Sequence, residues 1–122
     1  MRLQESGEMY LETIFRLTQT KNRVRAIDVC QEMGYSKPSV SRAMGLLKDG
    51  GFITADADGY LHLTETGLEA AKKTYERHTL LTTLFEKIGV PAEIAAEDAC
   101  RIEHCISDTT FAALKAHVDA LP

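Results

Sequence analysis

The stretch from Arg25 to Leu63 constrains this chain most, because within it the apolar period changes from helical to alternating at a pair of glycines. Ala26, Val29, Cys30 and Met33 recur at helical spacing and stop at Gly34, a residue that accepts the positive φ of a helix end. Ser36 is placed to cap a second helix. Pro38 sits in its first turn, where a missing N–H is not needed, and Val40, Ala43, Met44, Leu46 and Leu47 form its apolar side. Gly50-Gly51 ends that helix. Phe52–Ala55 and Tyr60–Leu63 then flank Asp56-Ala57-Asp58-Gly59, which predicts a short hairpin with a turn-compatible Asp-Gly. Helix, glycine turn, capped helix and hairpin make the pattern of a winged helix-turn-helix; a plain helical hairpin in an all-α bundle is the competing reading.

Helices surround this motif. Tyr10, Leu11, Ile14, Phe15 and Leu17 predict an amphipathic helix from Glu8 to about Lys21. Thr64 caps a long helix to about Ile88 that carries Leu68, Ala71, Tyr75, Leu81 and Phe85. Gly89 and Pro91 break the chain, and two more helices are expected over Pro91–Ile106 and Asp108–Leu121. The expected fold is mainly α, with a winged helix-turn-helix over residues 1–63 and a helical region over 64–122. With 122 residues, 44% of them hydrophobic, the chain has enough apolar surface to order itself as one domain or as two halves sharing a core. No run approaches the length of a membrane span, and the start, Met1–Glu8, is too polar for a signal peptide, so a cytoplasmic protein without membrane contact is expected. Three cysteines without framework spacing argue against a disulfide scaffold.

A net charge of −4 speaks against a nucleic-acid partner only until it is divided by region. From Lys21 to Lys48 six basic residues face Asp28 and Glu32, a balance of +4, whereas Thr64–Pro122 holds six basic residues against ten acidic, a balance of −4. The positive charge lies where a helix-turn-helix meets phosphate. Ser36, Lys37, Ser39 and Arg42 fall on the first turns of the recognition helix. There Ser36 and Ser39 suit phosphate or base-edge hydrogen bonds, Pro38 suits a thymine methyl and Arg42 suits guanine. Capping alone explains Ser36 and Pro38 as well.

On a helical wheel from Ile94, the residues Ile94, Ala95, Ala99, Ile102, Cys105 and Ile106 share one arc, and Cys100, Glu103 and His104 fall opposite at i, i+3 and i+4. A thiolate, a carboxylate and an imidazole together form a metal-ligand set. Cys105, inside the apolar arc, reads as a small buried hydrophobe, as does Cys30. In the first helix Met9 and Glu12 lie off the apolar stripe, a thioether beside a carboxylate. His78 lies near the buried face of the long helix, and from position alone a core histidine is as good a reading as a ligand; His62 and His117 read as surface residues. An ordinary polar helix face is the competing reading of the whole constellation.

The segments Glu8–Glu12, Ser36–Arg42, Leu63–Gly67, Arg77-His78 and Cys100–His104, in this order and spacing, resemble the diphtheria toxin repressor family of metal-dependent transcriptional regulators, in its short form without an SH3-like domain. The resemblance implies a homodimer with an N-terminal winged helix-turn-helix and later helices that dimerise and hold metal between the first helix and the fifth. It further implies that the metal-loaded dimer represses metal-homeostasis genes from a palindromic double-stranded operator. Met9, Cys100, Glu103 and His104 match the primary metal site of iron-responsive members, His78 matches a second-site histidine, and Glu12 matches a carboxylate used by manganese-responsive members. Thr82 and Ala96 depart from the iron-type pattern, which has Glu and His there.

Thiolate and thioether are softer than carboxylate, so the ligand set favours Fe(II) as corepressor over Mn(II), and it admits other divalent transition metals in vitro. A manganese-responsive repressor and a metal-independent winged-helix regulator are the alternatives. A hydrolytic metal site is disfavoured because no second carboxylate stands at a general-base spacing, and the chain is not expected to be an enzyme.

Overall fold

A computed structural model describes residues 5–121, and in them the mainly α, winged helix-turn-helix architecture is present. The elements are α1 (Glu5–Thr20), α2 (Ala26–Met33), α3 (Lys37–Asp49), β1 (Ile53–Ala55), β2 (Leu61–Leu63), α4 (Glu65–Lys87), α5 (Ala92–Ile102) and α6 (Asp108–Asp119). The chain divides into two compact units, Met1–Lys72 and Lys73–Pro122, and the division falls inside α4. Among the described residues no helix is long and apolar enough to cross a membrane.

In the first unit the predicted apolar stripes converge. Tyr10, Leu11, Ile14 and Leu17 of α1, Val29 and Cys30 of α2, and Val40, Met44 and Leu47 of α3 are all buried in one core with Phe52, Ile53 and Leu61 of the hairpin. Each large aliphatic side chain buried here contributes about 1.5–3 kcal/mol. Leu46 departs from expectation: it is 57% exposed, because it stands at the edge of the α3 stripe whose centre is Val40, Met44 and Leu47. Gly34 adopts φ 72° where α2 ends, and its N–H donates to the Cys30 carbonyl, so the turn into α3 needs a residue without a Cβ.

The hairpin is short, with β1 and β2 antiparallel and Ile53 opposite Leu63. Thr64 fastens its end to α4: the hydroxyl donates to the Gly51 carbonyl at 2.7 Å and accepts the Gly67 N–H at 3.1 Å. At Gly67 a Cβ would lie 1.9 Å from the Phe52 carbonyl oxygen, so the hairpin backbone rests directly on the first turn of the helix. The Leu63-Thr64-Glu65-Thr66-Gly67 segment is thus a joint with a steric requirement.

In the second unit Leu81 of α4 and Ala95 and Ala99 of α5 are buried. Ser107 caps α6, accepting the Thr110 N–H at 3.1 Å. An open apolar cleft of about 370 Å³ is lined by Tyr75, Thr79, Leu80 and Thr83 of α4 and Val118 of α6. Two sequence expectations are corrected here. Ile94 is 49% exposed, and Cys105 is exposed rather than buried. The physical reason for Cys105 is that α5 stops at Ile102, so the wheel that placed it inside the apolar arc does not extend that far.

Candidate functional site

The exposed face of α3 begins at its cap. The Ser36 hydroxyl accepts the Ser39 N–H at 3.4 Å and donates to the Ser39 hydroxyl at 2.9 Å, while Pro38 occupies the first turn. Ser36, Lys37, Pro38, Ser39 and Arg42 are all exposed, and Val40, Met44 and Leu47 on the other side are buried. The helix therefore presents two hydroxyls, an ammonium, a guanidinium and an apolar ring to solvent from its N-terminal half. Tyr35, which the sequence did not single out, adds an aromatic ring that is 46% exposed and packs edge-on against Tyr10 with centroids 6.0 Å apart. Burial, and then the neighbouring Tyr35, push the Tyr10 hydroxyl above its ordinary pKa.

A second cluster lies in the second unit, around Glu103. Its N–H still donates to the Ala99 carbonyl, which places it at the cap of α5, and its side chain is 1% exposed. His78 on α4 approaches from 25 residues away, and its Nδ1 lies 2.9 Å from Glu103 Oε2. His104 Nε2 stands 3.2 Å from Glu103 Oε1, with a side chain as buried as that of Glu103. One carboxylate thus lies between two imidazoles. Glu103 and His104 were expected on one helical face; instead α5 ends at Ile102, and the chain tightens there as the Cys105 N–H bonds to the Ile102 carbonyl.

Arg77, the neighbour of His78, explains where that turn sits. Its Nη1 donates to the Glu103 carbonyl at 3.1 Å and to the Ile106 carbonyl at 2.7 Å, and its Nη2 pairs with Asp108. The guanidinium also lies over the Phe111 ring, 5.4 Å from its centroid. A single buried cation from α4 therefore satisfies carbonyls left open where α5 ends and holds the first residue of α6. Lys73, and after it Arg77, hold the Asp108 carboxyl below the ordinary carboxylate range. Arg77 was visible only as part of the Arg77-His78 pair, and its adjacency to a candidate ligand was the available signal.

The remaining sequence candidates are placed as follows. Met9 is half-buried on α1, where its carbonyl accepts the Thr13 hydroxyl, and Glu12 is buried on the same helix. Cys100 is exposed on α5. The structure thus brings His78, Glu103 and His104 together within one unit, and Cys100 is an exposed residue of α5. Two imidazoles around a buried carboxylate form a nitrogen and oxygen donor set that fits a divalent first-row transition ion. The same groups without an ion form an ion-pair cluster, so the fit is one of donor type and proximity.

Comparison with known proteins covers nearly the whole chain. Residues 2–63 match the family model described as iron dependent repressor, N-terminal DNA binding domain, and residues 64–121 match iron dependent repressor, metal binding and dimerisation domain. The chain is 30% identical over 115 residues to an uncharacterized HTH-type transcriptional regulator of Methanocaldococcus jannaschii, covering 93% of this chain and 92% of that protein. It is 31% identical over 107 residues to the iron-dependent repressor IdeR of Mycobacterium tuberculosis, covering 87% of this chain and 46% of IdeR. Among solved structures, the manganese regulator SloR superposes with a TM-score of 0.82 at 24% identity, over 99% of this chain and 56% of SloR. The chain therefore spans about half the length of the latter two.

Proposed function

Because the chain belongs to the family of iron-dependent repressors, we propose that it is a metal-dependent transcriptional repressor, active in the cytoplasm as a homodimer on palindromic operator DNA, with Fe(II) as its corepressor. The observation that carries this reading is the cluster of half-buried His78 with the buried side chains of Glu103 and His104, in a chain whose α3 also exposes Ser36, Lys37, Pro38, Ser39 and Arg42. We assign metal binding to Met9, Glu12, His78, Cys100, Glu103 and His104, on donor chemistry and on the family pattern. The open apolar cleft between α4 and α6, lined by Tyr75, Leu80 and Val118, supports self-association through the second unit. A regulator, and not an enzyme, is the activity these surfaces support.

When bound, the ion supplies a positive charge that holds carboxylate and imidazole donors in one arrangement. Glu103 and His104 are the residues through which that arrangement reaches the end of α5, and Arg77 fixes their backbone. His78 and His104 must each offer an unprotonated nitrogen to hold the ion, so acid competes with metal uptake. Metal favours the DNA-competent state only through its differential affinity for it, and operator DNA must then tighten metal binding by the same factor.

One observation favours a second reading, a manganese-responsive repressor. Glu103 and His104, whose side chains are buried, and half-buried His78 bring nitrogen and oxygen donors together, while Cys100, the soft donor, is an exposed residue of α5. The test is fluorescence anisotropy on a duplex selected from a random pool, with Fe(II) or Mn(II) under anaerobic conditions and with chelator. Binding that requires metal is expected, and binding indifferent to chelator would overturn the proposal. Cys100→Ala separates the two metals: loss of response to both supports the iron reading, and an undiminished Mn(II) response supports the manganese reading.

A further inference from the structure

Positive charge in the first unit also gathers away from α3. The Val24 side chain is buried, and its carbonyl accepts the Leu61 N–H at 2.7 Å, so the segment joining α1 to α2 runs extended along the edge of β2. Residues two apart in an extended segment share a face, which sets Arg23 and Arg25 on the same side, opposite Val24. Both guanidiniums stack against the Tyr60 ring, their central carbons 5.1 and 4.4 Å from its centroid. Both side chains are exposed, and among the described residues neither has a carboxylate within ion-pair distance, whereas Arg16 and Lys21 are paired with Glu32 and Asp28. Asp28, the acid that faces this cluster, is already engaged by Lys21 Nζ and by the Arg25 N–H.

The tip of the hairpin has the opposite sign. It carries Asp56 and Asp58, and Asp56 accepts the N–H groups of Asp58 and Tyr60 while pairing with His62 at 3.0 Å. A tip of this charge repels a phosphate backbone, and the base of the same hairpin attracts it. We propose that Arg23, Arg25 and the Tyr60 ring form a phosphodiester-binding patch, so that the wing meets duplex DNA with its base and not with its tip. The inference rests on the DNA-binding reading above and adds a contact that the recognition helix does not supply. Stacking on Tyr60 restricts two long side chains before DNA arrives, which lowers the ordering cost of binding. A guanidinium fork matches phosphate oxygens, and such an interaction positions the protein without reading sequence. Arg25 also caps α2, whose N-terminal end adds partial positive charge.

Salt dependence tests the patch. The full chain, loaded with Mn(II) and separately with Fe(II), is titrated with the selected duplex at several salt concentrations, and log K is plotted against log salt. Arg23→Gln with Arg25→Gln should make the slope shallower by about 0.9 for each phosphate that the variant no longer neutralises, with unchanged base preference. Tyr60→Leu keeps both charges and should weaken binding at every salt concentration with the wild-type slope. Should the double variant melt early by circular dichroism, Arg25→Gln alone reads the same slope. Wild-type slope and affinity in a folded variant would overturn the patch and leave the repressor reading intact, and so would an altered base preference. A wild-type protein that binds no duplex with either metal overturns both.

Discussion

In Met1–Lys72 the largest fully buried side chains are aliphatic, namely Leu11, Ile14, Val24, Val29, Val40 and Ile53; in Lys73–Pro122 they are Leu81 and the carboxylate Glu103. The second unit also buries Arg77 and Thr74, and α6 has no fully buried residue among those described. Apolar burial stabilises the first unit whatever is bound, since it is non-directional and carries no charge to neutralise. The second unit instead depends on a guanidinium that satisfies carbonyls and on a carboxylate between imidazoles, groups that are costly to bury unless each is matched. Charged groups organised in that way are suited to respond to an ion, whereas aliphatic packing is suited to hold a constant surface.

The largest effect that tests this contrast is expected at Arg77. Arg77→Met leaves the carbonyls of Glu103 and Ile106 without their donor and should destabilise the second unit by about 3 kcal/mol. Most of that loss comes from the carbonyls, because the Asp108 side chain is 72% exposed and its pair with Arg77 is largely solvated. Urea unfolding measures the total, and hydrogen exchange over 88–119 against 8–63 locates it. Arg77→Lys should recover only part, since a single ammonium nitrogen lacks the second nitrogen with which Arg77 reaches Asp108 as well as the two carbonyls. A loss below about 1 kcal/mol would show that apolar packing organises the second unit after all.

Next in size is the response to metal. At a free concentration one hundred times Kd, Mn(II) or Fe(II) should raise stability by about 2.7 kcal/mol, and Glu103→Gln should remove that gain. Val40→Ala supplies the contrast: it should lower the stability of the first unit while leaving the metal-induced gain in place, because Val40 lies in the aliphatic core. A gain that survives Glu103→Gln would remove Glu103 from the ligand set.

What the sequence revealed follows the same division. The stripes of α1, α2 and α3, the Ser36 cap and the Asp-Gly hairpin are local patterns, and local patterns survive into the first unit almost unaltered. The end of α5 is not local. It is set by Arg77, 26 residues away from Glu103, so a wheel continued through Cys105 turned an exposed thiol into a buried one. His78 and Glu103 meet across 25 residues, a proximity that no spacing rule contains. Arg23, Arg25 and Tyr60 likewise become neighbours only because Val24 pairs with Leu61. Leu46 shows the converse: its spacing was right for a core stripe, and the packing used the other residues.

The smallest expected effect is the acid response of the first unit, and its sign can be worked out at Asp28. The Lys21 ammonium, 2.9 Å away, and then the Arg25 N–H hold the Asp28 carboxyl below its ordinary value. A carboxylate with a depressed folded pKa contributes stability above the unfolded value, near pH 4, and loses it as the pH falls through the folded value. Because the pair is at the surface, the contribution should stay under about 1 kcal/mol and shrink with added salt. Asp28→Asn retains an acceptor for the Arg25 N–H but not the charge. It should therefore flatten the decline in stability below about pH 4 while costing little at pH 7. Chemical unfolding across that range measures the difference, and a wild-type acid limb in the variant would mean that the Lys21 pair contributes nothing to the first unit beyond the cap.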